Sequence, residues 1–185
     1  MNRLTQLLEA ALFAAAHPLP LAELGKLQPD VSHEELLEGL HALRDQYDRG
    51  GHAVDVVEVA EGYQIVTRPE FAEAIAEAQI VRRPRRLSPA ALETLAVIAY
   101  RQPVSRAEIE EIRGVSVDGV LRSLQERGII EAVGRGEGLG RPMLYGTTAL
   151  FFELLGVRSR DELPRLEDLS VALRPPSDLG ELTRS

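Results

Sequence analysis

IIEAVGRGEGLGRPMLYGTT, residues 129–148, sets two apolar runs on either side of four glycines spaced at every second position. A glycine run either cradles a phosphate ahead of a helix or forms the tip of a β-hairpin. A phosphate loop needs a lysine after its glycines, and the one lysine of the chain is Lys26. The dinucleotide fingerprint fails as well, since the position that needs glycine after Gly134 and Gly136 holds Leu139. Arg141-Pro142 then leads into PMLYGT, a strand pattern and not a helix start. The glycines therefore supply flexibility and positive φ at a hairpin tip.

Working outward, SVDGVLRSLQERG precedes the hairpin with Val117, Val120, Leu121 and Leu124 on one helical face, and Ser116 is its expected cap. Before it, Ser105 and Glu108 form a capping-box pattern for a short helix, RAEIEEI. Ser88-Pro89 opens an earlier helix that runs to about Tyr100. Thr147 or Thr148 caps a last helix, ALFFELLG.

The same order occurs nearer the N-terminus. A helix from about Leu4 to Ala16 breaks at HPLP, and a short helix spans Leu21–Leu27. Ser32 and Glu35 repeat the capping box ahead of a helix whose stripe is Leu36, Leu37, Leu40 and Leu43. AVDVVEV and YQIVT then read as strands around Ala60-Glu61-Gly62, and PEFAEAIAEAQ as a helix. Glu9 falls on Glu93 at an offset of 84, and Glu23-Leu24 on Glu108-Ile109 at 85. One repeat of that period implies a duplicated unit. Helix, short helix, helix and hairpin is the winged helix-turn-helix order.

The expected fold class is α+β, mainly α: two tandem winged helix-turn-helix domains with a short linker and a flexible C-terminal tail. The expected boundaries are 1–81 for the first domain, 82–87 for an Arg-rich linker and 88–164 for the second domain. The tail, 165–185, is polar and broken by prolines.

Composition removes several classes of chemistry. The 185 residues hold no cysteine, so thiolate nucleophiles, thiolate metal ligands and disulfides are excluded. No apolar run approaches the roughly 18 residues of a membrane span. The N-terminal helix imitates a signal peptide, but Glu9 interrupts it and its leucines keep the spacing of a core helix. GVSVDG carries one residue too many for a nucleophile elbow. Glu38 and His41 form a single E-x-x-H pair without the second copy that a carboxylate-bridged metal site needs. No catalytic, cofactor or metal residues are expected.

Charge bears on nucleic acid. The chain has a net charge of −8. Residues 1–81 carry 5 basic and 14 acidic side chains, and the third helix holds Glu34, Glu35, Glu38, Asp45 and Asp48 against Arg44 and Arg49. Such a helix is repelled by the phosphates that supply most non-specific DNA affinity. Residues 102–160 balance at 8 basic and 8 acidic. Basic residues cluster instead at Arg82, Arg83, Arg85 and Arg86, a possible weak DNA contact, and at Arg135 and Arg141 by the hairpin tip. The alternative reading, a winged-helix DNA-binding transcriptional regulator, lacks a basic third helix. Docking to protein is the remaining use of such domains, and Phe151 and Phe152, two of the eight aromatic residues, are candidate anchors for a partner helix.

QPVSRAEIEEIRGV, then GVLRSLQERGIIEAVGRGEGLGRPMLYGTT, then FFELLGVRSRDELP resembles the segregation and condensation protein B (ScpB) family. The match is specific over about Leu87 to Pro164 and follows architecture more than motif before that. The family more often has an acidic residue and a proline ahead of Gly-Arg-Pro, where this chain has Glu137 and Leu139. The resemblance implies a non-enzymatic accessory subunit of the bacterial SMC condensin complex. It implies a homodimer formed through the N-terminal winged helix, and binding to the central region of the kleisin ScpA. SMC is then reached indirectly through ScpA, DNA contact is weak or indirect, and there is no membrane. The implied setting is the cytoplasm at the nucleoid, in chromosome condensation and segregation during cell division. Arg135, Gly140, Arg141, Pro142, Tyr145 and Thr147 are the motif residues that fix the hairpin or meet the partner.

Overall fold

The computed structural model describes residues 2–78, 86–137 and 140–164. Arg82, Arg83 and Arg85 of the basic linker and the 165–185 tail lie outside the described residues. The fold is mixed α and β and mainly helical.

In the N-terminal half, Asn2 caps α1 (Arg3–Ala14) by accepting from the Thr5 N–H at 2.8 Å. Thr5, Leu8 and Leu12 face inward, the spacing of a core helix. The helix stops short of the expected Ala16, with Ala15 already in extended backbone (ψ 138°). Helix α2 (Leu21–Leu24) continues as a 3-10 turn through Leu27. Helix α3 (His33–Arg49) starts on the expected capping box: Ser32 Oγ accepts from the Glu35 N–H at 3.2 Å, and Glu35 Oε2 accepts from the Ser32 N–H at 2.8 Å. Strands β1 (Val54–Val59) and β2 (Gly62–Thr67) pair antiparallel. Both turn residues, Ala60 (φ 49°) and Glu61 (φ 58°), are left-handed, as a two-residue hairpin matched to strand twist requires. The expected helix at PEFAEAIAEAQ is a 3-10 turn at Pro69–Phe71 followed by α4 (Ala72–Glu77).

The C-terminal half repeats the pattern. Helix α5 (Pro89–Arg101) begins on the Ser88 cap, and β3 (Val104–Ser105) leads into α6 (Arg106–Arg113) through the Ser105–Glu108 capping box. Helix α7 (Asp118–Glu126), β4 (Ile130–Arg135), β5 (Met143–Thr147) and α8 (Ala149–Leu155) follow. The sheet order is β3-β5-β4, with β4 at the edge and a bulge between Ala132 and Gly134. Strand β3 is too short to read from sequence. Its counterpart in the first half is the bridge between Leu19 and Tyr63.

Two expected caps differ. Ser116 does not cap α7, whose N-cap position is Val117; the Val117 N–H instead donates to Glu110 Oε1 at 3.1 Å. Thr148 occupies the N-cap position of α8, but its hydroxyl donates to the Gly128 carbonyl at 2.6 Å. A hydroxyl facing a free carbonyl at a turn has a nearer partner than the helix amides.

Each half has its own core. Leu8, Leu24, Leu36, Leu40 and Leu43 are buried in the first, and Ile98, Ile109, Val117, Leu124 and Ile130 in the second. Full burial of each such side chain stabilises by about 1.5–3 kcal/mol. The halves meet where the β1–β2 turn donates backbone hydrogen bonds from Ala60 N to Val157 O (3.0 Å) and from Glu61 N to Arg158 O (2.8 Å). Arg158 and Glu58 pair at 3.7 Å beside them, and His17 Nδ1 lies 3.6 Å from Glu153.

Candidate protein-docking site

The β4–β5 hairpin is fixed to the helices by a polar clamp that the sequence did not suggest. Gln102, at the exit of α5, accepts from the Thr147 N–H at 2.6 Å and donates through Nε2 to Thr147 Oγ1 at 2.9 Å. Thr147 is thus a hairpin-fixing residue. Tyr145 points inward and packs against the C-terminal core. Residues alternate between faces along a strand, so Leu144 and Gly146 look outward. A Cβ on Gly146 would stand 2.8 Å from Val133 Cγ1 and 3.0 Å from Gln102 Oε1, so a side chain there would displace Val133 and disturb the Gln102 clamp.

At the tip, the Gly136 N–H donates to Pro142 O at 2.8 Å, and Arg141 takes a left-handed φ of 39°. Arg135 Nη1 reaches the Arg141 carbonyl at 3.5 Å, and both arginines are exposed. Arg141 and Pro142 therefore shape the tip while Arg135 extends from it. Phe151 is buried, and Phe152 packs on the same core with the two rings edge to face at 5.1 Å. Phe151 is a core residue; the exposed apolar side chains of α8 are Leu154 and Leu155.

What the hairpin residues bring together is a groove of about 540 Å³ across the outer face of the sheet. Its floor is Pro103, Val133 and Leu144, and Arg135 and Arg160 line it as well. Arg160 is held by the carbonyls of Tyr100 (2.9 Å) and Gln102 (3.3 Å). Neither Gln102 nor Arg160 was selected by sequence reasoning. The groove joins positions 58 residues apart, which no local pattern reveals.

The groups with displaced pKa serve caps, packing and surface ion pairs such as Arg158–Glu162. Hydrogen bonds from the Ser105 side chain and backbone hold Glu108 below the usual carboxylate range, and Ser32 does the same for Glu35, through its backbone first. Burial, with the Glu9 carboxylate 2.9 Å away, pushes the Tyr47 phenol up. Among the described residues, no group of three or more His, Asp or Glu side chains is placed to hold a metal ion. Nor is any helix among them long and apolar enough to cross a membrane. Helix α7 begins with Asp118 paired to Arg106, and α3 with Glu34 and Glu35. Neither helix start offers positive side chains to phosphate. Arg86 of the basic cluster is exposed.

Two helical units with hairpins, each with its own core, suit a subunit that works by contact with other chains. The family model for "Segregation and condensation complex subunit ScpB" matches residues 6–166. The chain belongs to the ScpB family, subunits of the segregation and condensation complex. Segregation and condensation protein B of Moorella thermoacetica is 46% identical over 183 residues, covering 97% of this chain and 91% of that protein. The crystal structure of ScpB from Mycobacterium tuberculosis is 34% identical, covering 83% of this chain and 95% of that one, with a TM-score of 0.39. A crystal structure described as a dimer of the ScpB N-terminal domain complexed with ScpA peptide is 24% identical. It covers 40% of this chain and 91% of that one, with a TM-score of 0.37.

Proposed function

We propose that the chain is a non-enzymatic accessory subunit of the bacterial SMC condensin complex. In this reading residues 1–81 and 88–164 are tandem winged-helix domains, 82–87 is their linker and 165–185 a tail. The first domain forms a homodimer, and the dimer binds the central region of the kleisin ScpA, meeting SMC through it. The subunit works in the cytoplasm at the nucleoid, in chromosome condensation and segregation, with DNA contact weak or indirect. The observation that carries the reading is the family match over residues 6–166. Surface chemistry agrees: the acidic first half, with five basic and fourteen acidic residues, suits a protein partner better than a phosphate backbone. Phe13, 83% exposed on α1, is the kind of unpartnered apolar side chain that subunit contacts cover.

The test is size-exclusion chromatography with light scattering on the full chain, alone and with the central fragment of the cognate ScpA. The expected result is a dimer of about twice 20.3 kDa that co-elutes with the fragment at micromolar concentration. A monomer that ignores the fragment refutes the proposal. Sequence-selective duplex binding at about 150 mM salt would favour a DNA-binding regulator instead.

A further inference from the structure

The geometry points to the groove across the outer face of the β3-β5-β4 sheet as the seat of an extended acidic segment of the protein partner, anchored on Arg135 and Arg160 over the apolar floor of Val133, Leu144 and Pro103. This rests on the docking function proposed above and names the surface that performs it.

Three features select the occupant. First, the floor is apolar and exposed: Val133 is 51% exposed at the bulge of the edge strand, and Pro103 is exposed beside it. Gly146 is buried beneath Val133, and its missing side chain lets Val133 lie close against the sheet as part of that floor. Second, the lining charges are of one sign. Arg160 is pinned by two carbonyls, and Arg135 touches only a carbonyl at 3.5 Å; no ion pair neutralises either guanidinium among the described residues. Carbonyl contacts orient an arginine while leaving its charge for an incoming carboxylate. In a chain with a net charge of −8, such a cationic lining is a local exception that discriminates between partners. Third, the groove is shallow and crosses strands, and about 540 Å³ takes a short stretch of peptide laid across the sheet. A phosphate backbone would gain from the arginines but nothing from Val133 and Leu144. A segment that alternates acidic and apolar residues uses both.

The chain has no cysteine, so a single introduced thiol can be labelled alone. Full-length Val133→Cys carrying a benzophenone maleimide should photocrosslink to the ScpA central fragment. Leu92→Cys, equally exposed on α5 and outside the groove, should not. In parallel, Arg135→Glu in the full chain should weaken ScpA binding at least fivefold and flatten its salt dependence, with an unchanged melting temperature. If wild type binds ScpA but Val133→Cys gives no crosslink and Arg135→Glu binds as tightly, the groove is overturned and the docking function stands. If wild type does not bind ScpA, both fall. If Arg135→Glu loses duplex DNA binding yet keeps ScpA, the occupant is nucleic acid and the inference is wrong.

Discussion

Gly62→Ala tests how the first hairpin is seated. A Cβ at position 62 would stand 2.9 Å from the Leu19 carbonyl carbon, 3.0 Å from that of Pro18 and 3.1 Å from Leu19 N. All three are backbone atoms, so no rotamer change relieves the contact. The Pro18–Leu19 segment must move away, and it is held by two hydrogen bonds of 2.9 Å, Leu19 N–H to Tyr63 O and Tyr63 N–H to Leu19 O. Losing them costs about 0.5–1.5 kcal/mol each. Overpacking adds about 1–3 kcal/mol if they hold instead. Against this, alanine lowers unfolded-state entropy by about 0.4–1 kcal/mol. The expected net loss is about 1–2 kcal/mol, or roughly 4–16 °C in the melting of a unit this small. Circular dichroism melting and urea titration of the full chain read it. Gly119→Ala is the matched control: nothing lies within 4 Å of its added Cβ, and it sits in α7, so it should stabilise by up to about 1 kcal/mol. A Gly62→Ala protein within about 0.5 kcal/mol of wild type would refute the reasoning.

Ser105→Ala removes the α6 cap and should cost about 1 kcal/mol in urea unfolding. The same contact sets an acid dependence. Glu108 has a folded pKa below its unfolded value, so its stabilisation is complete above that unfolded value and is lost as pH falls through the folded one. The wild-type minus Ser105→Ala stability difference should therefore shrink at acid pH. Tyr47→Phe deprives Glu9 of its 2.9 Å donor and should cost about 0.5–1.5 kcal/mol at neutral pH. Because the Tyr47 pKa is raised on folding, wild type holds that advantage below the phenol's unfolded pKa and loses it as pH rises towards the folded one. Arg113→Met breaks donor bonds to Ala90 O (2.9 Å) and Thr94 Oγ1 (2.6 Å) and the Glu93 pair, and should destabilise by about 1–3 kcal/mol in the same titrations.

Much of the local structure was legible because it depends on short spacings. Both capping boxes, the Ser88 cap and the β1–β2 turn lie within three or four residues of chain, and each is found where it was read. The cap at Ser116 failed because Glu110, six positions earlier, competes for the helix start; that contact depends on how α6 and α7 pack. The proposed docking surface was the least legible part. The motif GRPMLYGTT marked the right hairpin, but its residues divide between tip, core and clamp. The groove itself needed Gln102, Val133 and Arg160, brought together only by folding.

The joint between the halves has a consequence for how this subunit varies. Its two central bonds are donated and accepted by main-chain atoms of Ala60, Glu61, Val157 and Arg158. Substitution of those side chains leaves the donors and acceptors in place, provided that positions 60 and 61 keep residues that accept left-handed backbone and retain an N–H. Its strength, about 1–3 kcal/mol for two bonds, corresponds to roughly a five- to 150-fold preference for the joined arrangement. A single well-placed contact with a partner is of that size. The two units thus share a preferred posture whose strength is written in main-chain atoms, with side chains entering mainly through the backbone shape of the turn.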